Sequence, residues 1–130
     1  MTTEYQNGVP EMRIIAQVLD GTHGKAAVGV RACLARANTD GWIMAAEAET
    51  DRDGCIKDWD SWRLERGLYR IIFDSDSYFA ALGSTAAYPE VTVVFRMQSQ
   101  SAEFQVLLTL APYSYSTYFG TVDSQQGQFE

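Results

Sequence analysis

The sequence predicts an all-β sandwich with one short helix. Apolar and polar residues alternate with a period of two in several short segments, and clusters of turn residues separate these segments. Only residues 74–83 carry both a helix-start and a helix-stop signal. About seven or eight short strands around one helix favour a sandwich, and 130 residues can bury its core without a metal or a disulfide.

The first half of the chain predicts four strands. Residues 14–19 predict a strand that is apolar on both faces except at Gln17 and ends in a turn, and the alternation over residues 28–34 predicts a second strand. Residues 42–49 fit a helix or a strand, and the turn residues on both sides favour a strand. The acidic turn 50–54 then leads into a very short strand at residues 55–57.

The second half predicts strands over residues 68–73, 91–96 and 104–110. Between the first two lies the helix, which Asp74 or Ser75 can cap at its start and Gly83 can end. Pro112 breaks the ladder after the strand at residues 104–110, and the β-formers that follow predict a returning strand.

The last two strands predict a polar face that lines a pocket. Polar residues interrupt the apolar pattern of both strands, and the aromatic and hydroxyl run after Pro112 extends it. The residues assigned to this face are Gln105, Thr109, Ser116, Tyr118 and Thr121. Gln17 is the polar exception on the first strand.

Charge and cysteine content exclude several classes of function. A net charge of −7 with scattered cations disfavours binding to nucleic acid or to an anionic membrane. Two cysteines at unrelated positions predict neither a disulfide framework nor a metal site, and no apolar run is long enough to span a bilayer. We expect a cytoplasmic protein with a flexible arm at residues 1–12, a domain at 13–122 and a tail at 123–130.

Several motifs together resemble the transthyretin and 5-hydroxyisourate hydrolase family. They fall in the family's order and spacing: Val-Leu-Asp at 18–20, Gly-Lys-Ala-Ala-Val-Gly-Val at 24–30, Thr-Asp-Arg-Asp-Gly at 50–54, Gly-Leu-Tyr-Arg at 67–70, Tyr-Phe-Ala-Ala at 78–81, Tyr-Pro-Glu-Val-Thr-Val at 88–93 and Leu-Ala-Pro-Tyr-Ser-Tyr-Ser-Thr-Tyr at 110–118. The resemblance implies a transthyretin-like Greek-key sandwich of two four-stranded sheets with a short helix. It also implies a homotetramer, a dimer of dimers, with ligand sites between subunits.

The chain departs from the family's hydrolases at each catalytic position that the resemblance implies. Those enzymes open a ring with two histidines, an arginine and a terminal Tyr-Arg-Gly-Ser; here Gln17, Cys55 and Gln105 replace the first three, and the ending is Tyr-Phe-Gly-Thr at residues 118–121. Glutamine cannot take up a proton near pH 7, and losing a general base forfeits a factor of about 10²–10⁴. We therefore do not expect efficient hydroxyisourate hydrolysis.

The candidate site residues follow from the same positions. As catalytic residues we predict Gln17, Gln105, Tyr118 and Thr121; as substrate-binding residues Cys55, Ser116, Phe119 and Asp51; and no metal or cofactor. The glutamines have a second interpretation, as remnants that keep a vacated pocket hydrogen-bonded. Tyr118 and Phe119 fit either the walls of a closed pocket or packing between subunits.

Other polar and aromatic residues carry structural interpretations. Cys55 could be a nucleophile but is predicted to be an inert or weakly reactive thiol. Acidic turns such as that of Asp51 usually face solvent. His23, the only histidine, is predicted to be a plain loop residue. Trp59 and Trp62 fit either the wall of an apolar ligand site or a cover over a sheet edge.

Three functional hypotheses follow. The first is a repurposed enzyme of the family that cyclises, isomerises or rearranges a small aromatic or heterocyclic metabolite, in secondary metabolism. The second is a non-catalytic carrier of a small molecule, as transthyretin is. The third is residual 5-hydroxyisourate hydrolysis through Asp51 or Cys55; a purely structural role has no positive feature in the sequence.

Overall fold

The chain forms two packed β-sheets with one short helix. The computed structural model describes residues 12–59, 64–98 and 103–122. Their elements in chain order are β1 (Arg13–Asp20), β2 (Lys25–Ala26), β3 (Arg31–Asn38), β4 (Gly41–Glu49), β5 (Cys55–Ile56), β6 (Gly67–Phe73), α1 (Ser75–Ala81), β7 (Val91–Met97), β8 (Glu103–Ala111) and β9 (Ser114–Val122).

The strand order confirms the predicted sandwich. The first sheet runs β2-β1-β8-β9, with β5 also pairing with β1, and the second runs β4-β3-β6-β7. β1 and β8 are parallel, whereas the other paired strands are antiparallel. The two-residue β2 adds a fifth strand to the four expected in the first sheet, so that sheet is slightly larger than predicted.

The core lies between the sheets because β1, β6, β7 and β8 place alternate residues there. In β1 the buried positions are Ile14, Ala16 and Val18, and in β8 Phe104, Val106 and Leu108 are equally enclosed. The second sheet contributes large side chains that are likewise inaccessible, including Tyr69, Phe73 and Met97. Burying each such apolar side chain contributes about 1.5–3 kcal/mol, which fixes which face of each strand points inward.

The helix α1 follows the predicted signals. The Asp74 side chain accepts a hydrogen bond from the backbone N–H of Ser77 at 3.0 Å, and Asp76 lies in the first turn. Gly83, just beyond the helix, has a φ of +82°, the left-handed conformation that favours glycine. Phe79 anchors the helix in the core.

The predicted start of the second long strand is wrong. The alternation suggested a strand from residue 28, but Val28 is exposed in a turn and β3 begins only at Arg31. The reason is the backbone of Gly29, whose φ of +80° cannot continue a strand. Buried Thr50 holds this turn, because its hydroxyl accepts from Val30 N–H and donates to the Ala27 carbonyl.

The strand predicted from the ambiguous residues 42–49 is confirmed as β4. Trp59 is buried and its indole N–H donates to the Ile14 carbonyl at 3.0 Å, so it covers β1 rather than walling a ligand site. Trp62, most of the predicted arm and the tail at 123–130 lie outside the described residues. Among the residues that are described, no helix has the length and apolar character needed to cross a bilayer.

Candidate functional site

Gln17 and Cys55 are direct neighbours across two strands of the first sheet. The register of β1 and β5 pairs Gln17 with Cys55 and Ala16 with Ile56. Because Ala16 and Ile56 face the core, Gln17 and Cys55 face away from it. Gly54 makes this pairing possible: its carbonyl accepts from Val18 N–H at 2.7 Å, and a side chain there would lie 2.5 Å from the Val18 carbonyl oxygen.

Gln105 and Tyr118 lie on that same outward side. In β8 the even-numbered residues are buried, so Gln105 and Leu107 point outward beside β1. The register of β8 and β9 then places Tyr118 opposite Leu107 and Gly120 opposite Gln105. We call the resulting surface the glutamine face, and its principal residues are Gln17, Cys55, Gln105, Leu107, Ser116 and Tyr118.

Neither glutamine amide is hydrogen-bonded in the described part of the chain. Both residues are half-buried, and no side-chain hydrogen bond joins either to residues 12–59, 64–98 or 103–122. Each amide offers a carbonyl acceptor and two N–H donors. Amides that pack against a sheet yet keep these groups unused can form hydrogen bonds to a bound molecule.

Asp51 is a turn-forming residue beside this face. Its carboxylate accepts hydrogen bonds from the backbone N–H groups of Cys55 and Asp53, both at 2.9 Å. The bond from Cys55 and then that from Asp53 lower the pKa of the Asp51 carboxyl. Asp51 is exposed, and its two hydrogen bonds stabilise the turn that leads into β5.

The Cys55 thiol is held in its protonated form. Burial, and then the negative charge of Asp51, raise the pKa of Cys55, and the opposing charge of Lys57 is a smaller effect. Cys55 contacts the Asp53 carbonyl at 3.7 Å. A thiol with a raised pKa is a poor nucleophile.

Two predicted site residues, Thr121 of the polar face and the substrate-binding candidate Phe119, lie on the other side of β9 from Tyr118. Residues 118 and 121 are an odd number of positions apart, so their side chains point to opposite faces of β9, and Thr121 is paired with the core residue Phe104. Phe119 also faces inward, where its ring stacks on Phe95 at 5.1 Å and on Phe104 at 5.7 Å between centroids. Thr121 and Phe119 therefore do not share the face of Gln105, whereas Thr109, Ser116 and Tyr118 do. The predicted roles of Thr121 and Phe119 in a site stay predictions.

Charged groups that the sequence did not single out border the glutamine face. Arg13 and Glu103 are paired across β1 and β8, two residues before Ile15 and Gln105, and their side chains form an ion pair at 3.4 Å. Lys57 follows β5 and is exposed. The sequence could have indicated these residues, because Arg13 lies on the same side of β1 as Gln17, and Glu103 on the same side of β8 as Gln105.

A second polar cluster lies at the far end of β1, on the core side. The buried carboxylate of Asp20 accepts from the Tyr78 hydroxyl at 2.7 Å and from backbone N–H groups of Thr22 and His23 at 2.9 Å, and it pairs with the His23 ring at 2.8 Å. Burial raises the pKa of Asp20, but the bonds from Tyr78 and His23 outweigh it and the pKa is lowered. His23, predicted as a plain loop residue, thus supports the end of β1.

A broad, open groove lies elsewhere, on the outer side of the second sheet beside α1. Its charged lining comprises Arg31, Glu47, Glu49, Asp74, Asp76 and Glu90. The groove does not touch the glutamine face. In the part of the chain that is described, no group of three or more His, Cys, Asp or Glu side chains could hold a metal ion.

Known proteins resemble this chain in sequence over most of its length. A family described as the HIUase/Transthyretin family matches residues 14–120. A 5-hydroxyisourate hydrolase of Salmonella dublin is 35% identical over 105 residues, covering 80% of this chain and 77% of that protein. One from Mus musculus is 32% identical over 111 residues, covering 83% and 94%.

Solved structures agree with the sandwich. Transthyretin from Sparus aurata aligns with a TM-score of 0.79 at 27% identity, covering 85% of this chain and 97% of that one. A 5-hydroxyisourate hydrolase from Klebsiella pneumoniae aligns with a TM-score of 0.74 at 24% identity, covering 85% and 99%, which supports the fold alone.

Proposed function

Because the chain belongs to the HIUase/transthyretin family, we propose that it is an enzyme that binds a small, neutral aromatic or heterocyclic metabolite on the glutamine face. The reaction is a cyclisation, an isomerisation or a rearrangement that needs no strong base. Such chemistry suits secondary metabolism, where reactive intermediates are guided into one product.

One observation carries the proposal: the amides of Gln17 and Gln105 share a half-buried face and have no hydrogen-bond partner among the described residues. Amide groups that merely filled a vacated pocket would be expected to bond to each other or to the backbone, since an unsatisfied polar group is costly when water is excluded. Their availability favours recognition of a ligand over a remnant role.

The groups on this face suit positioning rather than hydrolysis. Two amides can orient carbonyl and N–H groups of a ring, and the Tyr118 hydroxyl can donate a hydrogen bond or a proton. The Cys55 thiol has a raised pKa and does not supply a base. Holding a reactive molecule in one conformation accelerates an intramolecular step by proximity alone.

We further propose that the site is completed by a second copy of the chain in a homotetramer. On the glutamine face, Ile15 and Leu107 are only partly covered in the single chain. Apolar side chains that flank a polar site are typical of a subunit interface.

Cys33 and Cys55 are free thiols, which supports a reducing, cytoplasmic location.

The proposal is tested by incubating the purified protein with a metabolite extract of its own organism and following the mixture by mass spectrometry. One compound should disappear while an isomer or a cyclised product appears. The double variant Gln17→Leu/Gln105→Leu should abolish the conversion, and Arg31→Gln, on the other sheet, should leave it unchanged. A compound that binds but is recovered unaltered would indicate a carrier, and conversion by the double variant would contradict the assignment.

A second candidate is hydrolysis of 5-hydroxyisourate, the activity for which the Salmonella dublin and mouse relatives are named. The charged border favours it, since the cations Lys57 and Arg13 could hold an anionic substrate that the neutral face cannot. If this activity exists, Lys57→Gln and Arg13→Gln should each reduce it, because each removes a positive charge beside the site. Hydrolysis insensitive to both would have to use Cys55 or Asp51.

A further inference from the structure

Tyr118 does not stand upright on the glutamine face but lies along β9 over Gly120. A methyl group placed on Gly120 would lie 2.9 Å from Cζ of Tyr118 and 3.0 Å from Cε2, and closer still to the hydroxyl oxygen. Such distances are shorter than real side chains allow. The phenol therefore occupies the space that any side chain at residue 120 would need.

The glycine is not required by its backbone. Gly120 does not have a positive φ, and it continues the regular pairing of β9 with β8. An L-residue could adopt this conformation without strain. Residue 120 must instead leave room for the Tyr118 ring. A glycine in a strand allows such a close approach of another group.

The consequence is a shift of the phenol from one row of the sheet to the next. The Tyr118 backbone faces Leu107, which is the neighbour of Gln17, whereas Gly120 faces Gln105. By lying over Gly120, the ring carries its hydroxyl into the row of Gln105. The row of Cys55, Gln17 and Leu107 is left uncovered.

We propose that Gly120 is the specificity-determining residue of the site, because it allows Tyr118 and Gln105 to act together on one edge of the ligand. This inference rests on the proposed function, and it adds which groups act as a pair. An amide and a phenol in one row match a ring that carries a carbonyl beside an N–H group. The open row beside Gln17 then accommodates the flat body of that ring.

The geometry is tested without any ligand by NMR. In the natural protein the α-protons of Gly120 should be shifted upfield by the ring current of Tyr118 and should show nuclear Overhauser contacts to its aromatic protons. Both signatures should vanish in Tyr118→Ser. Gly120 α-protons with the same shifts in both proteins would overturn the proposal, whatever the function of the chain.

The effect on binding is tested with hydantoin, a stable neutral ring with carbonyl and N–H groups, followed through the side-chain amide signals of Gln105. Gly120→Ala should weaken binding about three- to tenfold, the equivalent of one neutral hydrogen bond. In the Tyr118→Ser background the same Gly120→Ala change should have no further effect, because no ring remains to be displaced. Thr117→Ser, on the other side of β9, should bind as the natural protein does.

The outcomes separate the two claims. Equal binding by the natural protein and Gly120→Ala, or additive effects of the two substitutions, would overturn the role of Gly120. A protein with the ring-current signature that binds no hydantoin would contradict the proposed ligand class while supporting the placement of Tyr118. Thermal unfolding of Gly120→Ala should match that of the natural protein, which excludes a folding defect as the cause of weaker binding.

Discussion

Two polar residues on β1, Asp20 and Gln17, differ in how far their side chains are hydrogen-bonded within the described chain. Asp20, at the end of the strand, is buried and its carboxylate accepts from Tyr78, Thr22 and His23. Gln17, three residues earlier, is half-buried and its amide bonds to nothing among the described residues. A polar group that supports the fold is saturated, whereas one that can recognise a ligand keeps its hydrogen-bonding capacity free.

The comparison predicts that the two positions separate stability from function. Replacing Asp20 or its partners should unfold the protein more easily, whereas replacing the glutamines should leave the fold intact. Each substitution below can break or sharpen that distinction.

Asp20→Ala should destabilise the protein by about 2–4 kcal/mol, because it leaves the Tyr78 hydroxyl and two backbone N–H groups without an acceptor. Denaturant unfolding at pH 7 measures the change. The pKa of Asp20 is lowered in the fold, so the carboxylate stabilises the protein above the unfolded pKa of about 3.9 and this contribution is lost as pH falls. The difference between the natural protein and Asp20→Asn should therefore shrink below about pH 4.

Tyr78→Phe should cost about 1.5–3 kcal/mol, the value of a hydrogen bond to a charged group. Burial, and then the bond to Asp20, raise the pKa of Tyr78. Because the unfolded tyrosine ionises at about pH 10, this contribution is present below that pH and is lost as pH rises above it. A stability difference between the natural protein and Tyr78→Phe that stays constant as pH rises well above about 10 would contradict the assigned role of the bond.

Gly54→Ala should cost about 1–3 kcal/mol, because Gly54 has a φ of +77° and a side chain there would lie 2.5 Å from the Val18 carbonyl. The pairing of β5 with β1 should loosen, which faster hydrogen exchange of the Val18 amide would reveal. Gly83→Ala provides the control, since it has a similar φ of +82° but open space around it. It should cost less, and Val18 exchange should not change.

Gln17→Leu and Gln105→Leu should change stability by no more than about 0.5 kcal/mol each, since neither removes a hydrogen bond within the described chain. The measurement is the same unfolding experiment at pH 7. A loss of more than about 2 kcal/mol would contradict the comparison and would make the glutamines structural residues.

Much of the fold follows from local patterns in the sequence. β1, β7, β8 and α1 were predicted because runs of β-forming residues and helix-capping residues act over only a few neighbours. The start of β3 was missed because Val28 continues an apolar alternation that the backbone of Gly29 interrupts. A hydrophobic pattern does not report a positive φ.

The site was predictable only in part, because it depends on register and on distant partners. Gln17, Cys55 and Gln105 were assigned together from the family resemblance, and the strand pairing brings them to one face. Counting residues from Tyr118 would have shown that Thr121 and Phe119 lie on the opposite face of β9, since both are an odd number of positions from Tyr118. Nothing local in the sequence links His23 and Asp20 to Tyr78, which lies 58 residues after Asp20.

The most direct test of the account is an absorbance assay with freshly generated 5-hydroxyisourate. The natural protein is compared with a Gln17→His/Cys55→Arg/Gln105→His variant, which restores the base and cation expected of the family's hydrolases. The account predicts that the natural protein leaves the spontaneous decay rate unchanged and that the variant increases it. Acceleration by the natural protein would contradict the claim that the glutamine face binds without hydrolysing.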